Sequence, residues 1–167
     1  MIDVVVDDLA FVAADALAWP VSAELRATTP LLRRLEASLG TTLAEQLHVQ
    51  EPLPVGSAVV TGAGALAVEL LIHAVVASDS EPVTASGVRR ALTSALQRTV
   101  DWQIAHLACA PFGLGAGNLG VEESADVMLE TIRGHCARAR FPERVTVVVE
   151  TPLEQEVFTA ALGGSAA

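Results

Sequence analysis

Residues 108–120, ACAPFGLGAGNLG, contain the residue types best suited to binding an anion. An apolar strand leads into a loop with glycine at every second position, and a helix follows. Such a loop can turn several backbone N–H groups towards an anion at a helix N-terminus. The competing interpretation is a glycine-rich turn that only links strand to helix. On the first interpretation, the predicted ligand-binding residues of this loop are Gly113, Leu114, Gly115, Ala116, Gly117 and Asn118.

The cysteines and histidines form no catalytic or metal-binding pattern. Cys109 lies in an apolar run and is expected in the core, and Cys136 completes neither a zinc motif nor a disulfide framework. His135 and Cys136 are sequence neighbours, which point apart on a helix. His73 and His106 lie in apolar strands, and His106 has no acidic partner nearby in sequence, so structural roles are favoured. We therefore predict no catalytic residue, no metal and no cofactor.

The composition indicates one acidic, apolar domain. The 167 residues carry a formal charge of −10 at pH 7, which opposes contact with nucleic acid or an anionic membrane. The apolar runs are far shorter than the ~20 residues that span a bilayer. Three aspartates within residues 1–8 stand where a signal peptide would be basic, which favours the cytoplasm. We predict one domain over 1–162, a flexible tail over 163–167, and a homo-oligomer as one way to cover apolar surface.

Hydrophobic periodicity predicts alternating strands and helices. Thr29 and Pro30 are typical of a helix start, and Gly40 of its end. Predicted strands cover 2–6, 16–19, 58–61, 70–76, 104–110 and 144–150, and predicted helices cover 30–39, 84–101, 121–138 and 153–162. Six strands interleaved with four helices predict a three-layer α/β domain. Ligands of such domains bind beyond the carboxyl ends of the strands.

Six short segments, in the same order and spacing, resemble those of the macro domain, the ADP-ribose-binding module. Residues 7–10, DDLA, resemble the family's Gly-Asp-Ile-Thr, and 71–75, LIHAV, resemble Val-Ile-His-Thr-Val. The other segments are 14–18, 55–61, 113–117 and 121–125. The resemblance implies a three-layer αβα fold with a central mixed six-stranded sheet. It also implies a small-molecule partner of the ADP-ribose type.

The resemblance gives Asp8 and the glycine loop their roles. Asp8 would accept a hydrogen bond from the adenine amino group, and backbone N–H groups of residues 113–118 would hold phosphate. The alternative for Asp8 is that it caps a turn before the second strand. The function implied is a non-catalytic binder of ADP-ribose or a related phosphorylated nucleotide.

Two departures from the family concern the segment after the second strand. The family's Asn-Ala-Ala-Asn falls on residues 19–22, WPVS, and its first glycine-rich loop falls on 27–30, ATTP. Without those asparagines, hydrolysis is not expected. Trp19 and Ser22 are expected to shape the pocket, with the Trp19 ring filling the space of a ribose. An open cleft at that point would contradict this hypothesis.

The same segment is also similar to another group of proteins. Residues 15–21, DALAWPV, resemble the macro-like N-terminal domain of leucyl aminopeptidases, which has lost the ligand. The alternative function is therefore a ligand-free interaction or oligomerisation module. Residues 22–31 distinguish the two: an open ordered loop favours a ligand, and a segment packed over the cleft favours the module.

Overall fold

The computed structural model describes residues 1–39, 52–115 and 117–164. Six strands and four helices lie in these ranges. The strands are β1 (Ile2–Val6), β2 (Ala16–Ser22), β3 (Ala58–Gly62), β4 (Leu70–Ala77), β5 (His106–Cys109) and β6 (Arg144–Val149). The helices are α1 (Pro30–Ser38), α2 (Ala85–Asp101), α3 (Val121–Cys136) and α4 (Pro152–Gly164).

The six strands form one mixed sheet in the order β1-β6-β5-β2-β4-β3. All neighbours are parallel except β3 and β4, which are antiparallel. The predicted α/β fold with a central mixed six-stranded sheet is confirmed. Because β1, β6, β5 and β2 are parallel, their carboxyl ends meet at one edge, and the loops after them lie side by side.

Two buried clusters cover the two faces of this sheet. One face packs against α2, α3 and α4, with Leu92, Met128 and Phe158 fully buried. The other face packs against α1 through Leu32 and Leu35. Alternate residues of β2 go to opposite clusters, so the strand is apolar from Ala16 to Val21. These are the three layers expected from the sequence.

Some element boundaries differ from the predicted ones. β2 continues beyond the predicted end at Trp19, through Pro20, because it still pairs with β4 there. β5 pairs only with the first three residues of β2. Pro20 thus has a neighbouring strand on the β4 side alone, where a missing N–H is tolerated as at a sheet edge. α4 extends to Gly164, two residues past the predicted end. The remaining predicted tail, residues 165–167, lies outside the described residues.

A buried polar chain runs through the α1 side of the sheet. The Trp19 indole N–H donates to His73 Nδ1 at 2.8 Å, and His73 Nε2 lies 2.8 Å from Thr61 Oγ1. Because Nδ1 accepts, the neutral imidazole carries its proton on Nε2 and donates it to Thr61. The Thr61 hydroxyl then donates to the Gly62 carbonyl at 3.0 Å. Burial lowers the pKa of His73 to about 4, so the ring stays neutral.

The amino ends of β1, β6 and β5 are joined by polar side chains. Arg144 pairs with Asp3 at 2.8 Å, which lowers the pKa of Asp3. Thr146 donates to the same carboxylate at 2.8 Å, and His106 Nε2 lies 2.8 Å from the Thr146 hydroxyl. The Asp15 carboxylate accepts from the His106 backbone N–H. His106 thus has acidic neighbours that are distant in sequence, and it lies at the edge opposite the predicted ligand loop.

The two tryptophans provide a matched test of the buried polar chain. Trp19→Phe should lower the free energy of unfolding by about 1–3 kcal/mol, because His73 Nδ1 loses its donor in a site without water. Trp102 is 56% exposed, and Trp102→Phe should change the free energy by less than about 0.5 kcal/mol. Urea unfolding followed by circular dichroism measures both. Equal effects would contradict the role given to the indole N–H.

The neutral state of His73 predicts an acid sensitivity. The unfolded chain takes up this proton near pH 6.5, whereas the folded chain resists it until about pH 4. Stability from this group is therefore complete above pH 6.5 and decreases by about 3 kcal/mol as the pH falls to 4. His73→Gln should remove that part of the pH dependence. Urea unfolding between pH 7.5 and 4 on both proteins tests this expectation, and parallel curves would contradict it.

Candidate functional site

A cleft of about 900 Å³ opens at the carboxyl edge of the sheet. Its floor is apolar and continuous with the core beneath α1, since Leu9, Ala110 and Val148 belong to both. Its walls come from the loops after β1 and β5, the end of β6, the start of α4 and the first turns of α1. The lining residues of α1 and the residue before it are Thr29, Pro30, Leu31, Leu32, Arg34 and Leu35. This is the edge at which α/β sheets bind ligands.

Asp8 lies on the cleft wall directly after β1. Its Oδ1 accepts the Ala10 backbone N–H at 2.9 Å, and its own carbonyl accepts the Phe11 N–H at 3.0 Å. The turn-capping interpretation is therefore correct. It leaves the ligand interpretation open, because Oδ2 has no hydrogen-bond partner among the described residues. A carboxylate fixed by its own turn is preorganised to accept a further hydrogen bond.

The predicted glycine loop is present, but only part of it lies on the cleft wall. Gly113, Gly115 and Gly117 all have positive φ, at 86°, 134° and 78°. Leu114 lines the cleft, whereas the three glycines and Asn118 do not. Ala116, which was also predicted as a ligand residue, lies outside the described residues.

Internal hydrogen bonds use some of the donors of this loop. The N–H of Asn118 donates to Gly115 O at 3.1 Å, and the N–H of Leu119 donates to Gly113 O at 3.0 Å. The Asn118 side chain donates to Leu114 O at 3.4 Å. In the described chain, the N–H groups of Gly113, Leu114, Gly115 and Gly117 have no acceptor. Of these four donors, the one on a residue that lines the cleft is that of Leu114.

Trp19 and Ser22 lie away from the cleft wall. Trp19 is fully buried, with its indole committed to His73. Ser22 closes a short turn, donating its N–H to Arg26 O at 2.8 Å, and Leu25 adopts a φ of 62° within that turn. Neither Trp19 nor Ser22 contacts the cleft directly, so no observed contact supports the prediction that they shape the pocket. Trp19 does pack in the cluster that forms the cleft floor.

The segment over residues 22–31 combines features of both alternatives. Its turn is closed by a bridge between Val21 and Ala27, and α1 follows as one wall of an open cleft. The same segment also approaches the glycine loop, because the Thr28 carbonyl oxygen lies 3.7 Å from the position a Cβ on Gly115 would take. Neither Thr28 nor Gly115 lines the cleft, so this approach lies beside it.

The charged side chains that line the cleft are mostly acidic. Four carboxylates line it, from Asp7, Asp8, Glu150 and Glu154, whereas Arg34 is the one basic residue among the described lining residues. Burial is the main cause that raises the pKa of Glu154, and repulsion from the Glu150 carboxylate adds to it. The carboxylates favour ligand groups that donate hydrogen bonds.

Sequence reasoning missed Arg34, Glu150 and Glu154. Glu150 directly follows β6 and Glu154 lies in the first turn of α4, so the carboxyl-edge rule could have found both. Arg34 lies four residues after Pro30 on α1, and helical spacing puts these two residues on one face. The sequence signal for Arg34 was the predicted helix start at Thr29 and Pro30, which indicated that α1 begins next to the carboxyl edge of the sheet.

Cys109 and Cys136 play no part in the cleft. Cys109 is fully buried, and burial raises its pKa to about 12, so the thiol stays protonated. Burial also raises the pKa of Cys136. In the described ranges, no group of three or more histidine, cysteine or carboxylate side chains could hold a metal ion. None of the described helices has both the length and the apolar character needed to span a membrane.

The fold and the cleft define an α/β domain that presents a ligand-sized site at the carboxyl edge of a mixed sheet. The family model of the macro domain matches residues 33–128. The chain belongs to the macro domain family. Its similarity to solved structures extends over nearly its whole length. The Oceanobacillus iheyensis macrodomain with ADP is 16% identical, with a TM-score of 0.86 over 97% of this chain and 90% of that one.

Two further comparisons show how far the similarity extends. The Trypanosoma brucei macrodomain in complex with ADP-ribose is 12% identical, with a TM-score of 0.85 over 97% of this chain and 69% of that one. Uncharacterized proteins of Mycobacterium tuberculosis and Mycobacterium bovis are 24% identical over 148 residues, 89% of this chain. The chain spans 41% of the length of these mycobacterial relatives. At these identities the solved structures establish the fold.

Two glycines of the loop give a stability test of its packing. A Cβ on Gly113 would lie 2.9 Å from Leu119 Cδ1 and 3.0 Å from Val88 Cγ2, whereas no described atom lies within 4 Å at Gly117. Both alanine variants carry the cost of a positive φ. Gly113→Ala should therefore cost about 1–3 kcal/mol more than Gly117→Ala, by thermal or urea unfolding. Equal costs would mean that the loop yields to a methyl group at Gly113.

Proposed function

We propose that this chain binds ADP-ribose or a related phosphorylated nucleotide in the cleft and does not hydrolyse it. The observation that carries the proposal is the open cleft at the carboxyl edge, with Asp8 and Leu114 on its walls. Two macrodomains of the same fold have been solved with ADP and with ADP-ribose. The cleft of this chain has a volume of about 900 Å³, which falls within the range of small-molecule sites.

Particular groups match particular parts of such a ligand. The Oδ2 atom of Asp8 can accept from an exocyclic amino group of a base, while Oδ1 is held by the turn. The N–H of Leu114 can donate to a phosphate oxygen in the cleft, and the N–H of Gly115 lies next to it in the same turn. Backbone donors in a glycine turn form an anion-binding concavity. The apolar floor can take the face of a base or sugar.

The proposal is limited to binding because the end of β2 supplies nothing to the cleft. In the family motif this strand end carries asparagines, and here Trp19 and Ser22 are committed to His73 and to the turn. The described lining residues include no histidine, cysteine or serine. An alternative hydrolytic chemistry would therefore depend on the carboxylates alone.

A second candidate function is a ligand-free interaction module. The approach of the Thr28 carbonyl to the glycine loop favours it, because the two loops lie close together beside the cleft.

Two expectations from the sequence stay predictions: that copies of the chain pair into a homo-oligomer, and that the protein is cytoplasmic. Light scattering after size-exclusion chromatography would measure the oligomeric state.

Titration calorimetry with ADP-ribose tests the proposed function. Wild-type protein should bind, and Gly115→Glu should weaken binding at least tenfold, because it adds a carboxylate beside the phosphate donors. Gly134→Glu is the matched control, since Gly134 lies in α3 with no described atom within 4 Å of an added Cβ. It should bind ADP-ribose as wild type does.

The outcomes separate the two candidate functions. No heat at millimolar ADP-ribose with correctly folded wild-type protein would contradict nucleotide binding and favour the interaction module. Equal weakening in both glutamate variants would show that net charge, rather than the loop, controls affinity. Formation of AMP and ribose 5-phosphate from ADP-ribose during the titration would contradict the non-catalytic part of the proposal.

A further inference from the structure

We infer that Arg34 is the specificity-determining residue that binds the ligand's phosphate and orients the nucleotide in the cleft. The proposed ligand is a nucleoside phosphate or diphosphate whose base carries an amino group. The inference rests on the proposed function and adds to it a residue outside the resembling segments. It follows from the charge of the cleft, the ion-pair pattern and the donors of α1.

The charge of the cleft works against a phosphorylated ligand unless a cation intervenes. Four carboxylates and one guanidinium line the described wall, and the whole chain carries a formal charge of −10. A phosphate that approaches the carboxylates is repelled, and the repulsion grows as water leaves the cleft. Arg34 is therefore the described lining residue whose charge attracts such a group. Phosphate recognition is also the contact for which a planar guanidinium is suited.

Arg34 differs from the arginines that stabilise the fold. Arg89, Arg90, Arg98 and Arg144 each pair with a carboxylate. Within the described ranges, no carboxylate lies at ion-pairing distance from Arg34, although four line the same cleft. Its guanidinium therefore remains available to a ligand.

The backbone at the start of α1 cannot take over this role. Pro30 has no N–H, and the N–H of Leu32 donates to the Thr29 hydroxyl at 3.3 Å. The N–H of Arg33 donates to Thr29 O at 2.9 Å. Leu31 alone keeps a free backbone donor in this turn. A helix N-terminus whose donors are used in this way attracts an anion weakly, so the side chain of Arg34 must supply the positive charge.

The position of the charges sets the orientation of the ligand. Asp7 and Asp8 follow β1, and Glu150 and Glu154 lie at the end of β6 and the start of α4. Arg34 lies on α1, which forms a different wall. A base with an amino group faces the carboxylates, and its phosphate faces Arg34. The reverse orientation would bring phosphate to four carboxylates.

Arg33 and Arg34 provide a matched pair for the experiment. Arg33 is the neighbouring exposed arginine on α1, and it does not line the cleft. We would titrate wild type, Arg33→Gln and Arg34→Gln with ADP-ribose, AMP and adenosine, by calorimetry and by NMR for weak ligands. Arg34→Gln should weaken ADP-ribose and AMP about tenfold or more and leave adenosine unchanged. Arg33→Gln should change none of the three, and Arg34→Lys should restore part of the loss.

Each outcome supports or overturns the inference. Equal weakening by Arg33→Gln and Arg34→Gln would overturn it, because only the overall charge would then matter. Loss of adenosine binding in Arg34→Gln to the same degree would also overturn it, since the effect would not depend on phosphate. If wild type binds ADP-ribose and Arg34→Gln binds it equally, the inference fails while the proposed function stands. If wild type binds none of the three ligands, both fail.

Discussion

The hydrogen bond from the Trp19 indole to His73 determines how the α1 side of the sheet is built. It holds the largest side chain of β2 inside the core, where the ring packs in the same cluster as Leu32 and Leu35 of α1. α1 therefore rests on a filled floor beside the carboxyl edge, with Arg34 between those two leucines in sequence. The Trp19 ring and the apolar floor of the cleft therefore belong to one buried cluster.

That arrangement also explains how a member of the macro domain family can keep its cleft after losing two of its motifs. The ATTP segment at residues 27–30 gives a side-chain cap and a proline start, which stabilise α1 and leave Leu31 as its free backbone donor. Stability of the helix and anion binding at its N-terminus compete for the same N–H groups. On the proposed function, a side chain therefore adds the positive charge that the first turn of α1 lacks.

The sequence predicted the parts of the structure that depend on local patterns. Apolar runs and caps located the six strands and four helices of the described residues, and parallel order located the edge where the cleft lies. It could not predict the contacts between distant residues. Trp19 and His73 are 54 positions apart, and Asp3 and Thr146 are 143 apart. Asp8 was found through the resemblance to the macro domain and Leu114 through the glycine spacing of its loop, whereas Arg34 enters the cleft through the placement of a helix.

The proposed binding of an anion by this acidic chain would be subject to two opposing electrostatic effects. Repulsion between the chain, at a formal −10, and a phosphorylated ligand acts over long distances, and physiological salt screens it beyond about 8 Å. Attraction by one guanidinium acts at contact, where charge-assisted hydrogen bonds to a phosphate add to it. At cellular ionic strength the long-range term is therefore reduced more than the contact term. A single well-placed arginine can then give selectivity for phosphate while the overall charge disfavours polyanions such as nucleic acid.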